Sequence, residues 1–306
     1  MKAVLDSPMT GIAIAMVLFF AGLQFGRTEA ARPRFDGDVL DVDGGLLVRR
    51  SLETLETLDG LEVELRQEID LYATHVIGDG RYLQRGAGGE QTRIDMVYSA
   101  GGEKVADVQQ IDNGRFLLTR YRTPTRSELT RVDLEYARAE LGYDPVALDP
   151  GHFGPGAGLL ALVRSFGHEF EFSPPRQESW QGQTVWFVTG HWKRERLKAR
   201  FGIEAGEGEG DRLSERVPLP LPTHIELVIG SDPQLPFFPY RIDFLRRDSS
   251  GDRPMTSRIG RLEMHQIRHR IVPAEIDFQP TPTEEVVSDE TAAFVARHKD
   301  SETVRR

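Results

Sequence analysis

The sequence predicts an α+β protein built on one large, strongly curved, mostly antiparallel β-sheet with helices against one of its faces. Three observations lead there. Many segments alternate apolar and polar residues with a period of two, the spacing of a strand with one wet face. Turn signals separate most of them closely, and a parallel crossover needs about a dozen residues, so successive strands pair antiparallel. A few stretches have the 3.6-residue period of helices instead.

The elements follow in order. From Leu46 to Leu58 the apolar positions Leu47 or Val48, Leu52, Leu55 and Leu58 share one helical face, and Asp59-Gly60 is a stop. From Leu61 to Ile77 the odd positions are Leu, Val, Leu, Gln, Ile, Leu, Ala, His and Ile, while the even positions open Glu, Glu, Arg, Glu, Asp, which predicts one long strand. Further strands are predicted over 91–99, 105–111, 115–122, 127–133, 184–192, 223–229, 240–246 and 259–267. Gly86-Ala87-Gly88-Gly89, Gly101-Gly102, Asn113-Gly114 and Ser249-Ser250-Gly251 supply turns between them. Helices are predicted over 134–141, 159–166 and 193–201, and a short one after Asp289-Glu290, whose carboxylates would cap its backbone donors. The acidic, glycine-rich run 204–216 reads as a mobile surface insertion, and the glycine-rich run 151–158 as a loop.

Composition bounds the chemistry. The 306 residues are 39% apolar and 28% charged, enough for a sizeable core, and 38 Lys and Arg against 48 Asp and Glu give a net charge of −10. That balance argues against a nucleic-acid partner, which is held by excess cationic charge. With no cysteine there are no disulfides, thiolate metal sites or thiol nucleophiles, and no lipid anchored through an N-terminal cysteine.

The run Met9–Phe25 is almost wholly apolar, yet its seventeen residues fall short of the roughly 20 needed to span a bilayer core. Residues 1–30 therefore read as a signal peptide cleaved after Ala30, with an uncleaved N-terminal anchor as the alternative. Residues 31–43 read as a linker, whose Asp36, Asp38, Asp41 and Asp43 fit no EF-hand frame. Either way the body is exported, to the periplasm or cell envelope.

Several short segments carry a likeness. A helix ahead of a long first strand, then Tyr82-Leu83-Gln84, Gln110-Ile111-Asp112-Asn113-Gly114, Gly182-Gln183-Thr184-Val185-Trp186, Pro239-Tyr240-Arg241-Ile242, Phe278-Gln279-Pro280 and Asp289-Glu290-Thr291, resembles the LolA-like superfamily. That superfamily includes periplasmic lipoprotein carriers, LppX-type lipid carriers and the sensing domain of RseB-type regulators. The resemblance covers residues 44–298, leaving 299–306 as a tail. It implies an unclosed β-barrel, a half-barrel, whose concave face is lidded by helices around an apolar cavity for acyl chains. The implied function is a non-enzymatic carrier of lipids or lipoproteins, or alternatively an RseB-like envelope sensor or scaffold that binds a lipid or protein signal.

Physical chemistry gives such a cavity a purpose. Each exposed CH₂ costs about 0.8 kcal/mol, so a sixteen-carbon chain in water costs on the order of 10 kcal/mol. Alternate side chains of the strands could shelter it: Leu65, Ile69, Leu71, Ile94, Met96, Tyr98, Trp186, Val188, Ile225, Leu227, Ile242 and Phe244. Periodicity alone leaves each of them open to a second reading, plain core packing.

Catalytic, metal and cofactor signatures are lacking: there is no Gly-x-Ser-x-Gly, no phosphate-binding loop and no His-Glu-x-x-His. His265 and His269, on one strand, would stand about 13 Å apart, too far to share a metal. His191 and His224 read as pairing or solvated residues. The run Trp192, Lys193, Arg194, Arg196, Lys198 and Arg200 puts five cations in eight residues beside a tryptophan. It reads either as a solvated helix face or as a dock for anionic headgroups or an acidic envelope partner.

Overall fold

A computed structural model describes residues 43–71, 73–142, 158–203, 217–218, 220–248, 255–280 and 285–303. The leader, most of the linker, the insertion 204–216 and residues 151–157 of the glycine-rich run lie outside them. The described residues form helix α1 (Gly44–Thr57), strands β1 (Gly60–Leu71), β2 (Thr74–Arg85), β3 (Gln91–Ala100), β4 (Glu103–Asp112), β5 (Phe116–Arg122) and β6 (Ser127–Asp133), then helices α2 (Leu134–Leu141) and α3 (Gly158–Glu169). After these come β7 (Phe170–Phe172), β8 (Arg176–Trp180), β9 (Gln183–Trp192), α4 (Arg194–Phe201), β10 (His224–Gly230), β11 (Pro239–Asp248), β12 (Met255–Arg268), a 3₁₀ turn η1 (Glu275–Phe278), β13 (Val287–Asp289) and α5 (Thr291–Thr303).

All the strands join one curved, unclosed sheet, ordered β13-β6-β5-β4-β3-β2-β1-β12-β11-β10-β9-β7, with β8 also on β9. Every pairing is antiparallel except β13 with β6. The predicted α+β class with a half-barrel sheet is what the chain adopts.

The long strand predicted from Leu61 to Ile77 is instead two strands. β1 ends at Leu71, Ala73 turns at φ 59°, and β2 returns with Leu71 opposite Thr74. Cross-strand partners share a face, so the core positions pass from odd numbers in β1 to even numbers in β2, where Val76 and Tyr82 are buried and His75 is exposed. No glycine, asparagine or proline marks this turn, which is why period-two reading ran through it. In β2, Gly78 and Gly80 face the Tyr98 ring and the Met96 side chain of β3, and a Cβ at either would collide with those neighbours. The predicted tail from 299 is also corrected: α5 runs on to Thr303, and Lys299 pairs with Glu140 of α2 at 2.6 Å.

Helices α1 and α3 lie side by side over one face of the sheet, tied by Arg164 to Glu56 at 3.0 Å. A smaller cluster seals the β6 end, where Leu134 and Ala137 of α2 meet Phe294 and Val295 of α5. Asp289 begins α5 as expected: its Oδ1 accepts from Thr291 N at 3.0 Å, and its ion pair with Arg131 at 2.7 Å helps hold its carboxyl well below the usual range. Glu290 instead accepts from the Ser288 hydroxyl at 3.1 Å.

His191 and His224 are cross-strand partners whose rings stack 5.7 Å apart. Burial first, then the neighbouring His191 and Arg247, depress His224 from 6.5 to about 4. Because its folded value lies below its unfolded one, the unfolded chain takes up the extra proton first as pH falls. The stability tied to neutral His224 is therefore complete above 6.5 and lost as pH drops towards 4. Replacing His224 with Gln is expected to flatten the fall in urea midpoint across this window. An unchanged slope would assign the acid sensitivity elsewhere.

Candidate functional site

The twelve predicted lining residues fall on one face of the sheet, spread over β1, β3, β9, β10 and β11. Eleven are buried, from 0% exposed at Tyr98, Val188, Ile225, Leu227 and Ile242 to 5% at Leu71, and Trp186 is half-buried against the same cluster. Strand alternation brings them there: side chains two apart in a strand share a face, and the residues beside them in the chain point to the opposite one.

Helical periodicity supplies the cover. α1 contributes Leu47, Val48 and Leu55, and α3 contributes Leu159, Leu160, Leu162, Val163 and Phe166. The α3 residues were legible as a helix, but not as the layer facing the lining. Phe166 is fully buried, with its ring 6.0 Å from that of Phe170 and 6.2 Å from that of Phe244, both in edge-on geometry. The layers are in direct contact, so in this state the predicted lining is packed against its own helices.

Two polar pairs interrupt the apolar face and are satisfied within it. Tyr98 donates its hydroxyl hydrogen to Gln67 Oε1 at 2.7 Å, and Tyr82 donates to Gln84 Oε1 at 2.9 Å. Burial pushes both phenols well above their usual range, so they remain neutral donors.

The opposite face is a lattice of ion pairs. Arg261 meets Asp243 at 2.6 Å, Arg241 meets Asp243 at 3.0 Å and Glu226 at 3.6 Å, and Arg258 meets Glu68 at 2.7 Å. One face therefore suits apolar matter and the other suits water.

The basic run divides. Trp192, expected at a membrane surface, is buried: its Nε1 donates to Pro222 O at 2.7 Å and its ring lies 4.6 Å from Phe170. Arg200 is also internal, its side chain 2% exposed, paired with the buried Glu169 at 3.0 Å and lying over the Trp192 ring. Both are corrections to the docking expectation, because the last turn of α4 folds back onto the end of α3. Lys193 donates to Gly167 O at 2.8 Å and is half-buried like Arg196, while Arg194 and Lys198 are exposed. Burial raises the Glu169 carboxyl, opposed by Arg200, Arg196 and Lys193. No sequence pattern announced this pair.

His265 and His269 do not share a strand face, since β12 bulges at Gln266, φ 47°, and ends at Arg268. Among the described residues no group of three His, Asp or Glu is placed to hold a metal ion.

No family model matches the chain, and neither does any curated protein. Among solved structures it is similar to LprF from Mycobacterium bovis, at 13% identity and a TM-score of 0.35, covering 76% of this chain and 96% of that one. A LolA superfamily protein from Nitrosomonas europaea is 12% identical with a TM-score of 0.29, covering 78% of this chain and 98% of that one. MucB in its complex with MucA from Pseudomonas aeruginosa is 11% identical with a TM-score of 0.37, covering 78% and 61%. Identities and scores this low transfer neither activity nor partner to this chain.

Proposed function

We propose that this chain is an exported, non-enzymatic carrier of lipid or lipoprotein acyl chains, working in the periplasm or cell envelope. The observation that supports this reading is the division of the sheet into two faces. Apolar side chains from five strands gather under two helices that belong to no strand pairing, while charges pair on the opposite face. An acyl chain would enter by parting α1 and α3 from the sheet, replacing helix-to-sheet contacts with chain-to-sheet contacts. The exchange keeps apolar surface out of water on both sides, so its cost stays small beside the shelter gained. Residues 44–298 would form the lipid-binding unit.

Docking to an anionic surface through Arg194 and Lys198 would be weak, since each basic residue near such a surface contributes about 1 kcal/mol. A partner in the envelope would therefore have to recognise more than this run.

The test is titration of the full chain with a fluorescent long-chain fatty acid. Saturable binding, displaced by unlabelled fatty acid and raising the thermal transition by mass action, is the expected result. Absence of binding across chain lengths would remove the carrier reading. Binding of an extended peptide in its place would favour an RseB-like sensor.

A further inference from the structure

At the end of the sheet where the β8–β9 turn, the β10–β11 loop and the last turn of β12 meet, there is a cleft of about 280 Å³. It shares none of the twelve acyl-lining residues. Trp180 and Tyr240 form an aromatic wall, their ring centroids 6.1 Å apart, and the side chains of Gln181, Gln183, Gln266 and Asp232 border the same space. We infer that this cleft is a binding site for a neutral saccharide ring.

Four observations select that chemistry. The charges of the sheet's outer face are spent on one another, whereas the three glutamine amides at the cleft make no side-chain hydrogen bond with any described residue. Each amide offers donors and acceptors together, which matches hydroxyl groups that also do both. No Lys or Arg lines the cleft: nearby Arg241 is already paired with Asp243 and Glu226, and Arg270 donates to Gln234, while the lining His265, which meets Glu263 at 3.5 Å, and His269 offer ring nitrogens that donate to or accept from hydroxyls. A cationic ligand is disfavoured as well, because the Arg241 guanidinium lies over the Trp180 ring at 5.8 Å and the carboxylate of the lining, Asp232, already accepts from Gln234 N at 2.8 Å.

What is left is an uncharged molecule with an apolar face for the aromatic rings and hydroxyls at its edge. A pyranose has both. The volume of about 280 Å³ lies just below the range of small-molecule sites, about 300–1,000 Å³, and suits a single ring better than a long chain.

The backbone supplies a clean test. Gln181 and Gln266 sit at φ 51° and 47°, where glycine is at ease and glutamine is not. The double variant Gln181→Gly, Gln266→Gly therefore removes two of the three amides while relaxing the chain. Titrate the full-length protein with a glucose trisaccharide and with an N-acetylglucosamine trisaccharide, following tryptophan fluorescence and heat. The expected result is saturable binding of at least one of them at millimolar affinity or tighter, weakened at least tenfold in the double variant, with a thermal transition no lower than that of the parent. Failure of both sugars to bind the parent, or equal affinity in the double variant, would overturn the assignment. Fatty-acid binding is expected to be the same in parent and variant, so this site and the acyl face can fail separately.

Discussion

Glu169→Ala is expected to lower stability by about 3–5 kcal/mol, the cost of stranding a buried charge whose partner has been removed. Glu169 closes α3, and Arg200 comes from the last turn of α4; both side chains are almost wholly buried, 1% and 2% exposed. Trp192, itself packed on Phe170, covers the guanidinium with an apolar ring, so the charge left behind has to be re-solvated from a largely dry position. A domain holds a total of about 5–15 kcal/mol, so the variant should show an obvious loss in urea midpoint. Glu169→Gln should fall between parent and Ala, because it keeps the shape and loses the charge. The double replacement Glu169→Leu, Arg200→Met should recover most of the loss, since a buried pair is often no better than apolar residues of similar volume. A drop in the single variants below about 1 kcal/mol would mean that Arg200 finds solvent when released.

This pair also shows where sequence reading stops. The basic run was visible as a run of like charges, and such runs are normally solvated. What turned Arg200 inward was a carboxylate more than thirty positions away whose side chain gave no periodic sign. Where the signal was local, the reading held: strict alternation in β1 assigned Leu65, Ile69 and Leu71 to one face, and Gly101-Gly102 marked the β3–β4 turn, with φ 61° and 87°. Where the structure depends on pairing with distant strands, it did not. The exposed edge strand β8 and the three-residue β7 and β13 are too short to show a period, and β2, with glycine at two of its inward positions, has no apolar stripe to read. That the twelve residues share a face was legible because apolar alternation reports a face. Whether such a face meets a ligand or a helix depends on what covers it, and the period of a strand holds no record of that.

Phe166→Ala separates these two possibilities. Phe166 is fully buried at the centre of the helix-to-sheet contact, and truncating a buried phenylalanine costs about 3–5 kcal/mol through lost transfer energy and the cavity left behind. The walls of that cavity would be Phe170, Phe244 and aliphatic neighbours, so it should stay free of water and accept apolar matter. In a carrier, the parent state packs α3 against the sheet and the ligand-bound state parts them. Removing Phe166 weakens only the first, so fatty-acid affinity should rise even as the free protein loses stability, and added fatty acid should restore part of the lost thermal transition. In a permanently packed core the same variant would lose stability without gaining affinity for any chain length. Opposite movement of affinity and stability is thus the signature of a helix that serves as a lid, and movement of stability alone would return Phe166 and the lining beneath it to ordinary packing.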